Sequence, residues 1–233
     1  MGRDANSAMT PFIELYDLFV FDLDGTLADT LEDISRSLNR ALAGLGRPHL
    51  DPATVRGFVG KGARVLVERA LGAGAEKEAV ERALGLFIEN YTPNCLVSTH
   101  LYPGVAETLE GLAREGKRLA VLTNKPSAPA IRILEGLGAS RLFESIIGGD
   151  RMPRKKPDPA GLLGLIESAR VAPPRTLLVG DTGIDAATAR AAGARSAWVP
   201  HGFEASVPAN PPPDHVLEAF TDLAPPCPRL RLL

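Results

Sequence analysis

Cysteine and histidine are scarce in this 233-residue chain, which has two of the first and four of the second. Cys95 and Cys227 are far apart and carry no metal-ligand spacing, so they read as two unpaired, reduced thiols of the kind a cytoplasmic protein carries. The histidines are scattered, and no zinc motif can be assembled from them. No apolar run approaches the ~20 residues that a membrane helix needs. The opening MGRDANSAMTPF has no apolar core of a signal peptide, and Asn6 stands where a myristoylation signal requires Ser or Thr. Neither sign of charge dominates: 26 basic and 28 acidic residues leave a net charge of -2, which argues against a nucleic-acid or anionic-membrane partner. There is no internal repeat.

The remainder, 45% hydrophobic and 23% charged, is ordinary for a globular chain with a good core. Short apolar runs alternate with helical patterns. Strands are expected at Leu18–Phe21, Arg118–Thr123, Ser145–Gly149, Thr176–Gly180 and Ser196–Val199, with a weaker one at His215–Leu217. Helices are expected at Gly104–Glu115, Ser127–Leu137, Pro159–Ala169 and Asp185–Ala192. Such alternation predicts an α/β fold with a mostly parallel sheet covered on both faces. One stretch breaks the rhythm. From Thr30 to about Leu101 the pattern is helical, with a capping box of Asp29 and Glu32 opening the first helix and further helices at Ala63–Leu71 and Lys77–Tyr91. The expected organisation is a loose extension over 1–14, a core formed by 15–29 and 101–233, and an inserted all-helical cap domain over 30–100 that hangs over the strand ends. A proline-rich loop is expected at Pro208–Asp214, and an irregular tail from Pro225.

Four polar clusters follow four of the strands: Asp22-Leu23-Asp24-Gly25-Thr26, Thr123-Asn124-Lys125, Lys155-Lys156-Pro157-Asp158-Pro159 and Gly180-Asp181-Thr182-Gly183-Ile184-Asp185. In a parallel sheet all strand C-termini share one edge, so the clusters can converge. Asp22 and Asp181, with Asp185 as a further candidate, offer hard oxygen ligands suited to Mg²⁺. Thr123, Asn124 and Lys156 offer donors for a phosphate. One carboxylate can attack phosphorus, and a second can protonate the leaving oxygen and later activate water.

At all four clusters the chain resembles the haloacid dehalogenase-like superfamily: FDLDGTLADT as its first motif, TN of LTNK as its second, Lys156 of KKPDP as its third and GDTGID as its fourth. The resemblance runs from Leu18 to about Leu223 and implies a Rossmann-like three-layer core with a helical cap. It further implies Asp22 as nucleophile and Asp24 as general acid/base. Mg²⁺ would be held by Asp22, the backbone carbonyl of Asp24 and Asp181, with Asp185 supporting the ion or its waters. Thr123, Asn124 and Lys156 would bind the transferring phosphoryl group.

Within the insert, Val55–Leu71 (VRGFVGKGARVLVERAL) is similar to the cap signature of bacterial phosphoglycolate phosphatases. That likeness implies a small phosphorylated metabolite as substrate, 2-phosphoglycolate first among them, and a monomer or homodimer. A carboxylate-bearing substrate suits a cap that presents Gly60 for close backbone approach and Lys61 and Arg64 for charge. Other readings stay open: another small ester or pyrophosphate, a phosphomutase of the same fold, or a binding module without catalysis.

Overall fold

The most apolar runs become the central strands of the sheet, buried on both faces. The computed structural model describes residues 12–225. Its central strand β1 (Leu18–Phe21) alternates between two apolar layers, Phe19 and Phe21 on one face and Leu18 and Val20 on the other, none more than 2% exposed. Burial at that depth contributes about 1.5–3 kcal/mol per large side chain. β2 (Ala28–Asp29) follows, and then four helices: α1 (Leu31–Ala43), α2 (Pro52–Arg56), α3 (Ala63–Leu71) and α4 (Lys77–Asn94). β3 (His100–Leu101) returns antiparallel to β2. Next come α5 (Val105–Arg114), β4 (Arg118–Leu122), α6 (Ser127–Gly136), β5 (Ser145–Ile147) and α7 (Ala160–Ala169). β6 (Thr176–Gly180), α8 (Gly183–Ala192), β7 (Arg195–Trp198) and β8 (His215–Val216) complete the core.

The six-stranded sheet has the order β5-β4-β1-β6-β7-β8, and every neighbouring pair is parallel. Leu109 and Leu112 of α5 and Ile133 and Leu134 of α6 cover the Phe19/Phe21 face. Leu162, Leu165 and Ile166 of α7 and Ala189 and Ala192 of α8 cover the other. This is the expected three-layer α/β core. The chain runs outward from β1 through β4 to β5, then restarts at β6 on the other side. That reversal places a crevice at the C-terminal ends of β4, β1 and β6, where open α/β sheets hold ligands.

The helices between β2 and β3 stack through Leu38, Ala41 and Leu42 of α1 against Val80, Ala83 and Phe87 of α4. Asp33, on α1 and fully buried, fastens this layer to the returning chain. It accepts from the Ser98 amide at 2.9 Å, the Thr99 amide at 2.9 Å, the Thr99 hydroxyl at 2.9 Å and Arg36 at 2.9 Å.

Three local expectations change. The Asp29–Glu32 capping box does not form: α1 starts after Thr30, Asp29 accepts from the Leu31 amide, and Glu32 pairs with Arg36. The short α2 and the two-residue β2–β3 ladder lie where no element was expected. Of the loose extension, residues 1–11 lie outside the described range, but Phe12–Leu15 forms a 3₁₀ turn with Ile13 buried. The tail beyond Pro225 also lies outside it. Among the described residues, no helix is long and apolar enough to cross a membrane.

Candidate active site

Strand register brings the four clusters together. Phe21 is level with Val121 of β4 and Val179 of β6, and the residues that directly follow the three strands, Asp22 one position on and Thr123 and Asp181 two positions on, meet at one edge. The turn after β1 then folds back tightly. Gly25 has φ of +80°, and a Cβ there would stand 2.4 Å from Asp181 Oδ2, so the loop tolerates glycine alone.

Three carboxylates, Asp22, Asp181 and Asp185, lie buried with oxygens within 4.8 Å of one another. Asp181 is fixed at both oxygens, by the Thr26 hydroxyl at 3.0 Å and the Phe203 amide at 2.7 Å, while Trp198 donates to its backbone carbonyl. Asp185 plays two parts. It completes a capping box with Thr182 at the start of α8, and its other oxygen accepts from Lys156 at 2.6 Å. The same ammonium stands 3.2 Å from Asp22.

The electrostatics are lopsided. Burial raises the Asp22 carboxyl to about 6, with Asp185 and Asp24 adding to the rise and Lys156 and the Thr123 hydroxyl opposing it. Burial, then Asp185 and Asp22, hold Asp181 well above the usual carboxylate range. Burial works against the Lys156 ammonium, but Asp185 and Asp22 outweigh it and hold the group above its ordinary value. With all three ionised, these buried carboxylates facing one ammonium are short of two positive charges, which is why burial holds protons on Asp22 and Asp181. A divalent cation supplies that number. Oxygen ligands around Mg²⁺ at 2.0–2.1 Å lie within about 4.2 Å of each other, and the observed set, within 4.8 Å, is close to that spacing. The donors are all hard oxygens, which fits Mg²⁺ and not a thiolate- or imidazole-seeking metal.

Asp24 stands apart from this group. Both its oxygens accept from Lys125, at 2.7 and 3.0 Å, and Oδ1 also accepts from the Thr30 hydroxyl at 2.7 Å. Thr123 is buried next to Asp22. The Asn124 amide is fully engaged with protein: it donates to the carbonyls of Gly60 at 2.9 Å and Lys156 at 3.0 Å and accepts from the Lys156 amide at 2.9 Å. Asn124 therefore pins the Lys156 loop and holds the helical insert down on the core. Gly62, φ +88°, seals the same contact; a Cβ there would come within 2.7 Å of Lys155 Nζ and 3.0 Å of the Asn124 carbonyl.

Between the sheet edge and the insert is a cavity of about 50 Å³, walled by Asp22, Asp24 and Lys125 below and by Gly60, Leu66 and Tyr91 above. Of the expected cap contacts, Gly60 lines it. Lys61 and Arg64 are exposed and do not: Lys61 borders a separate open cleft beside Phe203 and Glu204, and Arg64 is ion-paired with Glu81 at 2.9 Å on the outer surface. Sequence reasoning gave Lys125 no role, although it directly follows Thr123 and Asn124. Nor did it find Thr26 and Thr30, whose hydroxyls donate to Asp181 and Asp24 respectively. The Phe203 amide left no trace that a sequence could carry.

A parallel α/β core with acidic residues at the C-terminal ends of β1 and β6, and a helical insert after β1, defines a class of hydrolase. The model of the haloacid dehalogenase-like hydrolase family matches residues 19–199, and the chain belongs to that family. Among curated proteins it is similar to phosphoglycolate phosphatase 1 of Pseudomonas aeruginosa, 41% identical over 227 residues that cover 94% of this chain and 83% of the relative. It is also similar to phosphoglycolate phosphatase of Pseudomonas putida, 39% identical over 216 residues, covering 90% and 79%. Among solved structures it resembles a predicted phosphoglycolate phosphatase from Haemophilus somnus, with a TM-score of 0.83 at 32% identity, covering 90% of this chain and 96% of that one.

Proposed function

We propose that this hydrolase is a Mg²⁺-dependent phosphatase that converts 2-phosphoglycolate to glycolate and phosphate. The observation that carries the metal-dependent chemistry is the charge shortfall at Asp22, Asp181 and Asp185, set against a separately paired Asp24. The relatives' common description as phosphoglycolate phosphatases supports the substrate.

Asp22, Asp181, Asp185 and the backbone carbonyl of Asp24 would hold the ion, which when bound offsets the charge of the transferring phosphoryl group. Asp22 attacks phosphorus as Asp24 gives its proton to the leaving glycolate oxygen. Water then attacks the aspartyl-phosphate with Asp24 as base, which releases phosphate, frees the Asp22 carboxylate and returns to Asp24 the proton it gave in the first step. Thr123 and Lys156 steady the phosphoryl oxygens. Asn124 acts through its backbone and by placing Lys156, since its amide is spent on Gly60 and Lys156. Closure of the helical insert, the proposed cap, limits water at the first step. Gly60 is the proposed cap contact; Lys61 and Arg64, outside the cavity here, are assigned no contact. The proposed setting is the cytoplasm.

The test is phosphate release from 2-phosphoglycolate, hexose phosphates, pyrophosphate and an aryl phosphate, each with Mg²⁺ and with chelator. A kcat/KM for 2-phosphoglycolate at least tenfold above the others, and loss of turnover with chelator, is expected. A spread of equal activities would refute the substrate; turnover that survives chelation would refute the metal.

A further inference from the structure

The proposed substrate has two anionic ends, and the site described so far serves one of them. The phosphoryl group goes to Asp22 and Lys156. The carboxylate must enter the rest of the cavity, whose insert wall includes Ile34, Leu66, Phe87 and Ile88. These side chains have no donor to give; the hydroxyls of Tyr91 and Thr92 beside them are neutral, and a carboxylate left there without a cation would be costly. The cations expected to meet it, Lys61 and Arg64, are outside. Among the described residues that line the cavity, Lys125 is the one cation.

We propose that Lys125 is the residue that recognises the substrate's carboxylate, and so makes the enzyme specific for a carboxylated phosphate ester. This rests on the reading of the chain as a phosphoglycolate phosphatase. The position suits the task. Lys125 is 5% exposed, its Nζ bonds both oxygens of Asp24, and it stands 4.5 Å from the centre of the Tyr91 ring on the opposing α4. An ammonium has three protons to donate. Asp24 takes two; the third is free for a ligand. In 2-phosphoglycolate one methylene separates the ester oxygen from the carboxyl carbon, so the carboxylate oxygens lie roughly 2.6–3.6 Å from the ester oxygen at ordinary bond lengths. Asp24 must reach that ester oxygen to protonate it. Lys125 Nζ is 2.7 Å from Asp24 Oδ1, so it lies within range of the carboxylate in the same pose. The Tyr91 face keeps water off the ammonium and strengthens the pairing.

The ion pair with Asp24 means that any change at Lys125 also disturbs Asp24. The test therefore reads a ratio. The kcat/KM for 2-phosphoglycolate is divided by that for 2-hydroxyethyl phosphate, which has the same length and a neutral end. The wild type is expected to favour 2-phosphoglycolate. In Lys125→Met and Lys125→Gln the ratio is expected to fall about 100-fold, the scale of an unpaired buried charge, and Lys125→Arg is expected to keep most of it. Thermal melting checks that each variant folds; Gln, which retains a donor toward Asp24, serves if Met does not. Equal losses on both esters would overturn the proposal and leave Lys125 as a positioning residue for Asp24 alone. A wild type without preference between the esters would overturn the substrate reading itself, and this inference with it.

Discussion

Asp22→Asn is expected to lower kcat by at least about 10⁴-fold while leaving the fold intact. The amide fills the same space but cannot attack phosphorus, and loss of a covalent nucleophile removes the reaction path itself. Stability should not follow activity down. Asp22 is one of three buried carboxylates that repel one another, and the shorter Lys156–Asp185 contact, 2.6 Å against 3.2 Å, survives the change. In chelator the variant is expected to be as stable as the wild type or about 1 kcal/mol more so, as happens when a strained functional group is neutralised. Phosphate release and urea unfolding measure the two quantities. Residual turnover above 1% would remove Asp22 from the chemistry; a collapse in stability would make it a structural residue.

Lys156→Met is expected to have the opposite profile, with both activity and stability lost. Lys156 is 4% exposed and is the cation that compensates Asp22 and Asp185. Breaking a buried pair from one side costs about 3–5 kcal/mol, which for a chain of this size is roughly 10 °C in melting temperature. The loss should depend on pH. The folded-state value of Asp22 is raised from 3.8 to about 6, and Asp181 is raised as well. Below the unfolded value both are protonated in both states and repel nothing. As pH rises through the folded value they ionise in place, and the stability gained from their raised affinity for protons is lost. Removing Lys156 moves that window upward. The part of the deficit that comes from Asp22 and Asp181 should therefore grow as pH rises, so the loss in chelator is expected to be larger at about pH 8 than near pH 4.5, and Mg²⁺ should return part of it by mass action. A deficit independent of both pH and Mg²⁺ would mean that Lys156 matters for packing alone.

Much of the architecture was legible because buried parallel strands read as unbroken apolar runs. Leu18–Phe21 and Thr176–Gly180 were bounded to the residue for that reason. The candidate site's edge was legible because its acidic and hydroxyl residues directly follow apolar runs, so strand position alone brings Asp22, Thr123 and Asp181 together. What depended on side-chain direction was not legible. Arg64 looked suited to an anion, but Ala63, Leu66 and Val67 form the buried stripe of α3 and turn Arg64 outward to Glu81. Asp29 and Glu32 matched a capping box. The real cap residue is Thr30, and its hydroxyl is drawn to Asp24, a tertiary contact that local spacing does not encode. The Lys125–Asp24 pair spans 101 residues of sequence and exists only because β1 and β4 are neighbours.

The central claim is that phosphate passes through Asp22. The direct measurement is a single turnover of enzyme in excess over 2-phosphoglycolate, quenched in acid and reduced with borohydride, which converts an aspartyl-phosphate to homoserine. Peptide mass mapping then locates the product. Homoserine at position 22, dependent on both substrate and Mg²⁺, is the result predicted. Homoserine at position 24, or at none of the aspartates while phosphate is still released, would contradict it.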